Sequence, residues 1–91
     1  MAQTELDQLT REGYSCHRWS NGPGFWYPVH DHPYDKAIIV LEGFITFYLP
    51  ARKEEHPLKV GERLDIPART AHSASVGSHG VTCLEGQKSR T

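Results

Sequence analysis

Six histidines fall among 91 residues, and two of them, His30 and His32, are separated by a single residue. Imidazole titrates near neutrality and is the commonest transition-metal ligand, so such a concentration points to metal binding or proton transfer. Side chains alternate faces along an extended strand, so His30 and His32 would point one way and Asp31 the other. That is how one strand presents two ligands to one ion. His72 opens a later β-like stretch, and a third neutral nitrogen would complete three protein ligands with positions left for water or substrate. The pair by itself reads more readily as two solvated histidines on an edge strand. His17 lies on an early strand pattern, and His56 and His79 lie near turns; all three read as surface residues.

The elements that must position these residues follow from the apolar pattern. Thr4-Glu5-Leu6-Asp7 has the form of a helix start, Thr4 as the cap, with Leu6 and Leu9 on one face and Gly13 as the stop. A short docked helix and arm are expected over 1–13. Beyond Gly13 the signals are β: segments 14–19, 25–32, 36–41, 44–49, 56–59, 63–66, 72–76 and 81–85 are separated by Gly, Pro, Asn and Ser, as in a sandwich or barrel. Ile38-Ile39-Val40-Leu41 and Phe44-Ile45-Thr46-Phe47-Tyr48 are predicted to form a hairpin through Glu42-Gly43, where glycine takes a positive φ. The β domain is expected to span 14–86, with 87–91 a frayed polar tail.

Two spaced patterns make the histidines more specific. From Gly24 the chain reads five residues, His30-Asp31-His32, three residues, Lys36, six residues, Gly43. This resembles the first motif of the cupin family, G-X5-H-X-H-X3,4-E-X6-G, with each spacing kept. Gly61, five residues, Pro67, and then His72 resemble the second motif, G-X5-P-X-G-X2-H-X3-N. The resemblance covers Gly24 to Val76. It implies an all-β fold, a single jelly-roll-like cupin β-barrel with a short N-terminal helix. It also implies a metal inside the barrel on His30, His32 and His72, a pocket at one end, and a homodimer.

Three positions depart from the family. Lys36 stands where the motif has its acidic ligand, and Arg69 and Val76 replace the second motif's Gly and Asn. An ammonium cannot ligate while protonated and is repelled by a cation. The remaining set is three neutral nitrogens, which favours Fe, Zn, Ni, Cu or Co over Mg, Ca or Mn. No ligand would offset the ion's charge, leaving it to attract an anionic substrate oxygen. Diketone-cleaving dioxygenases of the family share a three-histidine arrangement, and other members have lost metal. Lys36 has two readings: in the pocket it would bind a carboxylate or move a proton as a catalytic residue, or the turn at Pro33-Tyr34-Asp35 sends it to solvent or to an acid. A one-residue bulge there would let Asp35 replace the missing carboxylate.

Three functions remain open on these residues. The first is a metal-dependent enzyme, of dioxygenase, isomerase or lyase type, on a small acidic or enolisable metabolite. The second is a non-catalytic small-ligand-binding or sensor cupin, with or without metal, and the third is a degenerate barrel that Lys36 leaves without metal, kept as an interaction surface. Ten basic against eleven acidic side chains leave a net charge of −1, which supplies no stripe for nucleic acid. The longest apolar run, Ala37 to Leu41, falls far short of the roughly 20 residues that span a bilayer, so no membrane association is expected. The polar start Met1-Ala2-Gln3-Thr4-Glu5 resembles no secretory leader. Cys16 and Cys83 have no metal-type spacing and are expected as free thiols, consistent with the cytoplasm. A domain of this length has a thin core, which a closed sheet or a partner subunit would help.

Overall fold

The computed structural model describes residues 2–89. Helix α1 (Ala2–Arg11) is followed by strands β1 (Ser15–Asn21), β2 (Trp26–His30), β3 (Tyr34–Leu49), β4 (Glu54–Lys59), β5 (Arg63–Ile66) and β6 (His72–Ser89), with a 3-10 turn at Pro50–Arg52 before β4. All pairings are antiparallel. The two long strands organise the sheet. β3 and β6 pair with each other from Tyr34↔Ser89 to Tyr48↔Ser73, and each bends midway. The first half of β3 also pairs with β5 and the second with β4, while the last part of β6 pairs with β1 and the first part with β2. The result is two four-stranded halves, β1-β6-β3-β5 and β2-β6-β3-β4, that share the long strands and fold onto one another.

The inner faces meet in one core containing Ile38 and Val40 from one half of β3, Ile45 and Phe47 from the other, and Val76, Val81 and Cys83 of β6. Ala37, Ile39 and Leu84 point to the opposite face, where Leu9 of α1 covers them in a second cluster. This is why 37–41 reads as an unbroken apolar run: both faces of that stretch are covered.

The hairpin expected at Glu42-Gly43 does not form. Both apolar arms belong to the single strand β3 because both pair with β6, and the register shifts around Glu42 and Gly43 make a bulge that bends the strand. Gly43 takes φ +79°, and any Cβ there would collide with the Gly80 carbonyl oxygen. The glycine signal was sound, but it serves a bulge and not a chain reversal. Segments 72–76 and 81–85 likewise join in β6 across Gly80, also at φ +79°. The helix starts at Ala2, ahead of Thr4, so Thr4 is a helical residue and not the cap. At the far end β6 continues to Ser89. Residues 87–89, expected in a frayed tail, are paired with β3 and in part β1, and 90–91 lie outside the described residues.

Candidate metal centre

β2 ends at His30, so the histidine pair sits at the strand's exit and not within it. His30 is the register partner of His72 at the start of β6, and His32 lies two residues beyond His30 on the same side. The three rings converge, with centroid separations of 4.8 Å for His30–His32, 4.5 Å for His30–His72 and 5.4 Å for His32–His72. Among the described residues these three form the cluster with metal-ligating potential, one nitrogen of each lying within 4.8 Å of the others.

Two of the rings are oriented alike by the backbone. Nδ1 of His30 lies 2.7 Å from the Pro28 carbonyl oxygen, and Nδ1 of His72 lies 2.8 Å from that of Thr70. A carbonyl only accepts, so each Nδ1 carries the proton and donates, leaving a lone pair on Nε2. His72 is 2% exposed and its Nε2 is buried without a partner. An unsatisfied buried acceptor costs about 1–3 kcal/mol, and a cation would satisfy it. Burial pushes the His72 imidazole down to about 4, with smaller contributions from the Lys36 charge and the other two rings. Burial and Lys36 also lower His32. Neutral imidazoles are what a transition ion requires, so the donor set fits Fe, Zn, Ni, Cu or Co.

Lys36 lines the cavity and pairs with an acid from β6. Its Nζ lies 3.4 Å from His32 Nε2 and 3.5 Å from Glu85 Oε1, with side-chain exposures of 11% and 7% for the pair. It enters the pocket and it meets an acid. Asp35 does not take the missing ligand's place, since its carboxylate accepts a hydrogen bond of 2.8 Å from the Ala68 backbone N–H and it is not in the three-histidine cluster. Glu85 is the residue sequence reasoning missed. Its Oε1 accepts from Trp19 Nε1–H at 2.9 Å, and its Oε2 accepts from Gln87 Nε2–H at 2.9 Å. The available signal was parity: Val81 and Cys83 face the core, so the alternation of β6 carries Glu85 inward with them.

These side chains open onto a cavity of about 310 Å³ whose walls include Trp19, Tyr27, Tyr34 and Phe47. Tyr34 stacks on His32 with centroids 4.8 Å apart and planes 15° apart. Tyr27 packs edge-on against Trp19 and Phe25, lines the cavity, and accepts a hydrogen bond from the Asn21 amide at its hydroxyl. Arg69, at the position where the second motif has Gly, adopts φ +60° and donates its N–H to the His32 carbonyl at 2.7 Å. The left-handed turn is therefore kept without its glycine. His17, His56 and His79 are not in the cluster; His56 Nε2 lies 3.1 Å from Glu54 Oε1 and His79 Nδ1 lies 3.2 Å from the Ser78 hydroxyl.

No protein-family model and no curated protein matches the sequence. Solved structures do match by shape. A cupin-2 domain-containing protein from Shewanella frigidimarina is 20% identical with a TM-score of 0.69, over 82% of this chain and 70% of that one. The polyketide cyclase RemF from Streptomyces resistomycificus is 24% identical with a TM-score of 0.73, over 87% of this chain and 58% of that one. The DMSP lyase DddQ from Ruegeria pomeroyi is 16% identical with a TM-score of 0.74, over 85% of this chain and 47% of that one. The chain thus spans about half the length of the two enzymes, and at these identities the likeness is one of fold.

Proposed function

Given that the chain folds as a small cupin domain, we propose that His30, His32 and His72 hold one divalent transition ion, Fe, Zn, Ni, Cu or Co, and that the adjoining cavity receives a small acidic or enolisable metabolite. The observation that carries this reading is the buried, partnerless Nε2 of His72, whose ring a backbone hydrogen bond orients as another orients His30. Such an ion would supply Lewis acidity and an open coordination position. The chain's own residues do the rest: the aromatic walls exclude water, and Lys36, held by Glu85, meets the ligand's polar atoms or moves its proton. A dioxygenase, isomerase or lyase activity is compatible with that arrangement, and two of the neighbours are named as a cyclase and a lyase.

Elemental analysis of untagged protein purified without chelator is expected to return about one such ion per chain. His72→Ala is expected to lose it while keeping the β-sheet circular dichroism, and undiminished metal in that variant would overturn the assignment. A second reading, a small-ligand-binding cupin without metal, rests on Lys36 Nζ standing 3.4 Å from His32 Nε2, where its charge opposes a second cation. Protein that stays metal-free when each ion is offered would favour that reading.

We place the protein in the cytoplasm as a homodimer. Both cysteines are free, which suits a reducing compartment. Trp26, Phe44 and Tyr48 are exposed on the outer face of the β2-β6-β3-β4 half, an apolar surface suited to a second copy. Sedimentation equilibrium reads the mass directly, and a monomer at micromolar concentration would remove the dimer.

A further inference from the structure

The polar equipment of the cavity is balanced. Lys36 and Glu85 are the charged side chains lining it, and they meet each other at 3.5 Å. Neither is free to act as a bare charge. The Glu85 carboxylate is further committed to the Trp19 indole N–H and the Gln87 amide, so its position is set from three sides. An anion entering next to Lys36 also approaches Glu85, and it can gain the full attraction of the ammonium only by breaking this pair inside a water-poor site. A cation faces the converse problem at Lys36. Removing one partner from a buried pair is costly because the other charge is left without compensation, and that cost falls on any charged ligand that tries to replace a partner.

A neutral ligand meets no such penalty. Lys36 has ammonium protons to donate, Glu85 has carboxylate lone pairs to accept with, and the two groups sit side by side. The surrounding Trp19, Tyr27, Tyr34 and Phe47 rings offer flat apolar faces, which favour offset or edge-on contact with another π-system.

We propose that this cavity, apart from any ion on its histidines, selects an electrically neutral, flat conjugated molecule that presents a hydrogen-bond acceptor to Lys36 and a donor to Glu85, in preference to a carboxylate or a cation of the same shape. The inference rests on the reading of the cavity as a small-molecule site. For the metal-free cavity it narrows the acidic-or-enolisable class to its neutral, enolisable half, of which a conjugated hydroxy-ketone is the simplest member. Glu85 becomes the specificity-determining residue, since it cancels the charge that would otherwise recruit anions.

Three probes of one skeleton and three charges test this: benzamide, benzoate and benzamidine. They are titrated into chelator-stripped protein, so that the outcome does not depend on whether the histidines hold metal. The Trp19 indole N–H resonance reports events at Glu85, and Trp26, 61% exposed, is the internal reference. Wild-type protein is expected to bind benzamide at least about tenfold more tightly than either charged analogue, a lower bound on the effect of one uncompensated buried charge. Glu85→Gln, which keeps shape and removes charge, is expected to reverse the order in favour of benzoate, and Lys36→Met in favour of benzamidine. Benzoate binding wild type as tightly as benzamide overturns the proposal, as does the absence of any Trp19 shift with benzamide at 10 mM. The wild-type order decides alone should either variant fail to fold. Metal content is measured separately, so the loss of one reading leaves the other standing.

Discussion

His72 concentrates the chemistry of the site in one side chain. Its ring is locked by Thr70 on one nitrogen and unpartnered on the other, and burial holds its pKa at about 4 against an ordinary 6.5. A base whose folded-state pKa is depressed binds its proton first in the unfolded chain, so stability is complete above about pH 6.5 and falls as the pH drops toward 4. For metal-free protein the loss is expected to be of order 3 kcal/mol across that window. Urea midpoints at pH 7.5 and pH 4.5 measure it, and His72→Gln should flatten the profile; an unchanged slope in that variant would place the acid sensitivity elsewhere. Lys36 and Glu85 show the limit of reading single residues. The replacement of the motif's acid by Lys36 is plain in the sequence, but the acid that meets it arrives from β6, and only pairing brings the two together.

At the scale of the element, β3 and β6 are single bent strands where the sequence suggested pairs of short ones. The bend depends on Gly43, whose positive φ and contact with the Gly80 backbone leave no room for a side chain. Gly43→Ala is expected to cost about 3 kcal/mol or more, from a left-handed backbone and a backbone collision together. Thermal unfolding of the variant checks this, and a melting temperature equal to wild type would mean that the bulge relaxes freely. The helix is fastened by a similarly specific device. Arg63 of β5 makes a forked pair with Glu12, Nη2 to Oε1 at 2.7 Å and Nη1 to Oε2 at 3.0 Å. The Arg63 guanidinium, and then the Gln8 amide, hold the Glu12 carboxyl at about 2. A depressed acid contributes above its unfolded pKa and is lost as pH falls through the folded value, so this clasp should open between about pH 4.5 and pH 2. In Glu12→Gln, amide exchange in α1 is expected to quicken while the sheet amides keep their protection; equal rates would show that the apolar packing of Leu6 and Leu9 and the Lys88 contact hold the helix without the clasp.

At the scale of the molecule, the two apolar clusters divide the work. The inner core carries the cavity and its histidines, whereas the outer one, with Leu9 wholly buried against Ala37, Ile39 and Leu84, attaches the helix. Leu9→Ala is expected to cost about 2–5 kcal/mol as a buried truncation and to leave metal content per folded chain unaltered. A parallel loss of metal would mean that the helix supports the site. Much of this was legible beforehand, because local chemistry encodes it. The all-β class follows from short apolar segments and frequent turn residues, and the three histidines and the two spaced patterns around them stand in the sequence in order. What the sequence alone determined is therefore the kind of fold and the identity of the candidate ligands, since composition, alternation and spacing are properties of neighbouring residues. Tertiary structure decided the rest: that Gly43 bends a strand and does not end it, that residues 87–89 are paired, and that Glu85 meets Lys36. Each of these depends on which strand lies beside which, and pairing between residues far apart in the chain is settled by the competition of whole strands for partners, which no local window contains.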